Sequence, residues 1–196
     1  MKKRIILGSA SPRRRELLTQ IGVEFEVLVN SGEERYVSTK PEEIVKELAL
    51  AKAENTAAIV DNLKDSLIIG ADTVVALDGE ILGKPQNEED AFGMLRHLQG
   101  REHQVYTGTA LLAYDESGGR SVISHAVRTD VYVHAMEDEE IRRYIATGEP
   151  MDKAGSYGIQ GRFAAYIGRI EGDFYNVVGL PVAYLYRQMK KLGYIS

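Results

Sequence analysis

Residues 4–22 commit the chain to a strand, a tight loop and a helix in immediate succession. Ile5, Ile6 and Leu7 form an apolar run that reads as a buried strand ending at Gly8. Ser11 is a suitable N-cap, and Pro12 fits the first helical position, where no backbone donor is needed. Leu17, Leu18 and Ile21 recur at helical spacing, and Gly22 suits the stop. The loop 8–11 therefore feeds a helix N-terminus, whose free N–H groups and dipole favour an anion. Arg13, Arg14 and Arg15 stand in that first turn, where positive charge is unfavourable until an anion arrives. They read either as solvated surface arginines or as a phosphate-handling set. The second reading explains why they crowd the wrong end of the dipole.

Residues 25–29 read as a second strand and 30–40 as a polar loop carrying Glu33 and Glu34, a pair that is either solvated or metal-binding. A helix is expected from Pro41 to about position 61, with Ile44, Val45, Leu48, Ala49 and Ile59 on one side. Lys52 falls near the middle of that apolar face, so it must snorkel out, meet a carboxylate or point into a polar cleft. The strongest strand spans 67–77, and Asp72 interrupts its centre with Thr73 beside it. A lone buried carboxylate there needs a cation, a metal or several donors; alternatively Asp72 lies just past a strand end, capping a turn after Gly70. Asp78-Gly79 signals a hairpin, and in the following Gly83-Lys84-Pro85 turn Lys84 is either solvated, as a lone turn lysine usually is, or aimed back toward the Asp72 strand end.

Asn87 caps a helix that Gly100 ends, and strands follow at 105–113 and 121–134 around a loop at 115–119. A helix is expected over 137–147, then a glycine-rich loop, 149–161, that either approaches a ligand or merely connects. Its Gln160 offers both a donor and an acceptor, as reading the edge of a base requires. Strands are expected at 163–170 and 174–178, and a last helix from Pro181 to Leu192. The alternation of β-α units with hairpins predicts a mixed α/β fold, a mixed sheet flanked by helices.

Composition narrows the function. A net charge of −5 argues against a nucleic-acid coat, though not against a local basic pocket. With no cysteine there is neither a disulfide nor a thiolate metal site, and the four histidines lack metal-ligand spacing. The basic start carries too short an apolar run for a signal peptide, and no stretch approaches the roughly 20 apolar residues of a membrane span. A cytoplasmic protein with no membrane partner is expected.

Gly-Ser-Ala-Ser-Pro-Arg-Arg at 8–14, Gly-Ala-Asp-Thr-Val-Val at 70–75, Gly-Lys-Pro at 83–85, Asp-Lys-Ala-Gly-Ser-Tyr-Gly-Ile-Gln-Gly at 152–161 and Asn-Val-Val-Gly-Leu-Pro at 176–181 together resemble the Maf family. The likeness runs almost end to end, with the motifs in order. It implies one domain of 196 residues, or two lobes around a nucleotide cleft, with an elongated sheet and a fold related to inosine triphosphate pyrophosphatases. It implies a cytoplasmic nucleoside triphosphate pyrophosphatase needing a divalent metal (Mg²⁺ or Mn²⁺), a housecleaning role against non-standard nucleotides and a link to septum inhibition. A homodimer is compatible with it. By position, Asp72 becomes the acid/base residue, with Glu33, Lys52 and Lys84 as catalytic companions, and Arg13 the first arginine after the proline. Thr73 and Gln160 match the subgroup resembling dTTP/UTP pyrophosphatases, where methylated-guanine subgroups differ. On this reading Ser9, Arg13 and Arg14 hold the phosphates, while Asp72 and Glu33 hold the metal. The alternatives are a nucleotide-binding regulator of division without essential turnover and a pyrophosphatase for a modified purine nucleotide.

Overall fold

The computed structural model describes residues 3–30, 32 and 35–196. The chain folds as two compact units. The first comprises Met1–Asp72, Thr107–Val127 and Gly179–Ser196, and the second Thr73–Tyr106 and Arg128–Val178. In chain order the strands are β1 (Arg4–Leu7), β2 (Glu26–Val27), β3 (Ser66–Leu77), β4 (Glu80–Leu82), β5 (Glu102–Tyr114), β6 (Arg120–Val133) and β7 (Ile167–Glu171). Their order in the sheet is β2-β1-β3-β5-β6-β7, with β4 paired to β3. The β1 strand runs parallel to β2 and β3, whereas β3–β4 and β6–β7 are antiparallel. The expected mixed sheet is the one that forms.

In the first unit, α1 (Pro12–Gln20) follows β1, and α2 (Pro41–Ala57) precedes β3. Ile44, Val45, Leu48 and Ala49 are buried as their spacing requires. The helix stops at Ala57 rather than near 61, so Ile59 lies beyond it and is 47% exposed. Ala49, Ala53 and Ala57 share a core cluster with Ile6, Ile68, Ala110 and Leu112. Small side chains on α2 let it sit close to the strands. At Gly70 of β3, an added Cβ would stand 2.2 Å from the Ala49 carbonyl oxygen, and at Gly108 of β5 only 2.1 Å from that of Val45. These two glycines are the seat of α2, where any side chain would push the helix away. The last helix, α6 (Val182–Lys191), ends at Gly193 as expected.

Ser11 occupies the N-cap of α1 but makes no side-chain cap bond; its own N–H instead donates to the Ser9 hydroxyl over 3.3 Å. The predicted strand 25–29 shrinks to the two residues of β2.

The second unit contains the Asp78–Gly79 hairpin, both residues at positive φ as such a turn demands. It also holds α3 (Glu88–Leu98), capped by the Asn87 side chain, which accepts from the Asp90 N–H at 2.9 Å. The α4 helix (Asp138–Ile145) opens with a capping box made by Glu137 and Glu140. Of two strand expectations here, 163–170 holds only in its second half, as β7, and 174–178 fails. Residues 162–166 form a 3₁₀ turn before β7, and 174–178 form α5 (Phe174–Val178). Phe174, Tyr175, Val177 and Val178 have strand-forming side chains. The Asp173 carboxylate nevertheless accepts from the Tyr175 N–H at 2.8 Å, and buried Asn176 donates to the Val105 carbonyl and the Thr129 hydroxyl at 3.0 and 2.9 Å. A local cap and two tertiary bonds outweigh strand propensity.

Candidate active site

In the first unit the seat of α2 fixes a Lys–Asp pair. With Gly70 against Ala49 and Ala53, Lys52 on the helix meets Asp72, two residues further along β3. The Lys52 ammonium donates to Asp72 Oδ1 at 2.5 Å, and the two side chains are only 22% and 14% exposed. Lys52 therefore meets a carboxylate, and Asp72 lies inside its strand rather than capping a turn past its end.

Beside this pair stands the loop from β1 to α1. The Gly8 N–H donates to the Ile69 carbonyl at 2.8 Å, holding the loop against β3. Ser9 is buried, and its hydroxyl accepts from Arg14 Nη1 at 3.1 Å. The same nitrogen donates to the Ala71 carbonyl at 2.9 Å, and Arg14 Nε donates to that of Gly179 at 2.8 Å. Arg14 thus turns inward. It ties the loop to the residue before Asp72 and to the closing motif at 176–181. Arg13, next to it, is half-buried in the first turn of α1, which carries no acidic residue. Ser9, Arg14, Lys52 and Asp72 are brought together in this unit, with Arg13 at its adjoining helix start.

Glu33, and Glu34 beside it, lie outside the described residues. The chain on either side is tied to α2. Asn30 Nδ2 donates to the Asn55 carbonyl at 2.8 Å, and Glu47 accepts from the Val37 N–H at 2.8 Å and from the Ser38 hydroxyl. Among the described residues no group of three or more His, Asp or Glu side chains is arranged to hold a metal ion, and no helix is long and apolar enough to cross a membrane.

In the second unit Thr73 directly follows Asp72 and is half-buried. Lys84 is exposed at a turn whose Gly83 carbonyl accepts from the Gly155 N–H at 3.0 Å, so the Gly-Lys-Pro turn and the glycine-rich loop are joined. Gln160 is exposed, within a turn closed by the Gly161 N–H on the Gly158 carbonyl at 3.1 Å. Beneath this loop Tyr157 is buried, its hydroxyl 2.7 Å from Nε2 of buried His103. Burial lowers the His103 pKa to about 4, a nearby Asp130 charge opposing it in part, and burial raises that of the Tyr157 phenol.

The sequence reading did not reach the carbonyls of Ala71 and Gly179 as partners of Arg14, nor Tyr144 and Glu149 behind the Gln160 turn. Gly70 did carry a signal, since a glycine inside a strong strand marks a close backbone approach.

The chain has relatives. Over 199 aligned residues the chain is 51% identical to a dTTP/UTP pyrophosphatase of Agathobacter rectalis, covering 96% of this chain and 97% of that one. It is 49% identical to the dTTP/UTP pyrophosphatase of Dictyoglomus thermophilum, covering 99% and 98%. The Ham1 protein of Staphylococcus aureus, 16% identical, shares the fold with a TM-score of 0.51 over 96% of this chain and 99% of that one. A family model described as Maf-like protein matches residues 4–192, and the chain belongs to the Maf family.

Proposed function

We propose that this protein hydrolyses nucleoside triphosphates between the α and β phosphates, preferring dTTP and UTP and acting in the cytoplasm. The observation that carries this reading is the Lys52–Asp72 pair, seated in a strand beside an arginine-tied loop at a helix start. The naming of its relatives agrees.

The chain's residues divide the work as follows. The loop N–H groups, Ser9 and Arg13 receive phosphate oxygens at the positive end of α1. Arg14, turned to carbonyl acceptors, keeps that loop in register with β3. Asp72 takes the proton of a water as its oxygen attacks the α phosphorus, and Lys52 orients the Asp72 carboxylate. The bridging P–O bond breaks, and pyrophosphate leaves with the electron pair. Lys52 and Lys84 offset the charge that grows on it.

A divalent cation fits this donor set. Asp72 presents a hard oxygen donor, and a small cation such as Mg²⁺ is satisfied by one or two carboxylates, substrate phosphates and waters. Asp72 and Glu33 would hold it, and when bound it supplies charge neutralisation and a more acidic water.

Thr73 and Gln160 read the base. The Gln160 carboxamide can donate to the ring carbonyl that thymine and uracil present where cytosine carries an amine. Removal of non-standard pyrimidine triphosphates is the role we attach to this activity.

Pyrophosphate release from dTTP, UTP, CTP, GTP, ATP and 7-methyl-GTP, with Mg²⁺ or Mn²⁺, tests the reading. Preference for dTTP and UTP, lost in Asp72→Asn, is expected. Turnover mainly of the methylated purine overturns the roles of Thr73 and Gln160. Binding without release from any nucleotide overturns catalysis in favour of a regulator. A division phenotype that survives Asp72→Asn would separate any role in septum formation from turnover.

A further inference from the structure

The turn at 158–161 puts Ile159 and Gln160 at its two central positions, one 7% exposed and anchored inward, the other facing solvent. Both ends of the turn are held by the same pair of side chains. At one end the Gly158 N–H donates to the Tyr144 hydroxyl at 3.2 Å. At the other, the Arg162 N–H donates to Glu149 Oε2 at 3.0 Å. The clamp closes on itself, because the Tyr144 hydroxyl donates to Glu149 Oε1 at 2.9 Å.

The carboxylate also shapes the turn from beneath. A Cβ added to Gly161 would stand 2.0 Å from Glu149 Oε1 and 2.3 Å from its Cδ. Gly161 has a φ of −95°, open to any residue, so a side chain here would disturb the carboxylate and not the backbone. Glu149 is itself placed from three sides. Gly148, at φ 73°, turns the chain out of α4; the Glu149 N–H donates to the Thr147 hydroxyl at 3.2 Å; and Lys153 Nζ donates to its carbonyl at 2.6 Å. Tyr144 is 4% exposed, and burial, with the bond to Glu149 adding to it, raises its pKa, so it stays a donor toward the carboxylate.

An inert connector needs none of this. We propose that Tyr144 and Glu149 are positioning residues for specificity, a clamp that holds the turn so that Gln160 meets the base of the substrate. This rests on the reading of Gln160 as the group that reads the base. Neither clamp residue touches substrate; each acts through the turn. A misplaced hydrogen-bonding group discriminates poorly, because the bond that separates a carbonyl from an amine is strongly directional.

The test is a double-mutant cycle on the full chain, reading kcat and KM for dTTP, UTP and CTP with Mg²⁺. Glu149→Ala and Tyr144→Phe are each expected to lower the kcat/KM preference for dTTP over CTP about tenfold, mainly through KM for dTTP. Glu149→Gln, which keeps one acceptor, should fall between Glu149→Ala and the unaltered protein. In a Gln160→Ala background the clamp substitutions should change the preference no further. A merely structural role would lower kcat for all three nucleotides alike, and that result overturns the proposal. So does an unchanged preference in Glu149→Ala while Gln160→Ala reduces it, or a clamp effect that persists without Gln160. If Gln160→Ala itself leaves the preference intact, the base-reading role fails first and takes the clamp with it. Should Glu149→Ala not fold, Tyr144→Phe and Glu149→Gln carry the same cycle.

Discussion

The Lys52–Asp72 pair and the Gln160 turn are built in opposite ways. The first is placed by backbone packing: α2 sits with its backbone on Gly70 and Gly108, and its Lys52 meets Asp72. The second is placed by side chains, with Tyr144 and Glu149 holding the two ends of the turn. Close-packed backbone tolerates almost no displacement, which suits the short proton transfer proposed for Asp72. A hydrogen-bonded turn can be retuned one side chain at a time, which suits the base selection proposed for Gln160. Chemistry and selectivity should therefore break under different substitutions.

Asp72→Asn removes the proposed proton acceptor at nearly constant shape. We expect turnover to fall by about a thousandfold with nucleotide binding retained, measured by pyrophosphate release beside calorimetric binding. Gly70→Val attacks the packing itself, since even its Cβ would meet the Ala49 carbonyl oxygen at 2.2 Å. It should cost about 3 kcal/mol in urea unfolding and depress turnover of every nucleotide alike. A selective loss there would contradict the division drawn above.

Acid probes the other side through His103. The unfolded chain takes up a proton on this group near pH 6.5, the folded one only near pH 4. The stability contributed by the neutral ring is complete above about pH 6.5 and is lost as pH falls toward 4, by about 3 kcal/mol. Urea unfolding between pH 7 and 4 should show this slope, and His103→Phe should flatten it. The smallest effect is expected from Gly161→Ala, whose Cβ would press on the Glu149 carboxylate, the end of a side chain that can give. A loss of about 1 kcal/mol is expected, with a change in dTTP-over-CTP preference and kcat for dTTP nearly intact.

How much could be read in advance follows the range of the forces involved. Pro12, Asn87, the Asp78-Gly79 pair and Gly193 each set a terminus or a turn through bonds within about four residues, and all act where expected. Asp72 and Lys52 were legible as contradictions, a charge in a strand and a charge on an apolar helix face. Strand propensity misled at 174–178, because Asn176 finds partners 71 and 47 positions away.

The sequence by itself determined the class of fold, the order of most of its elements, the family and the residues out of keeping with their local context. Each of those depends on local period, capping or motif, which neighbours along the chain decide. Only the tertiary structure decided that Lys52 answers Asp72, that Arg14 turns to carbonyls 57 and 165 positions distant, and that Glu149 sits beneath Gly161. Those partnerships depend on which strand lies beside which and how closely a helix can approach, and packing sets both, beyond the reach of local preference.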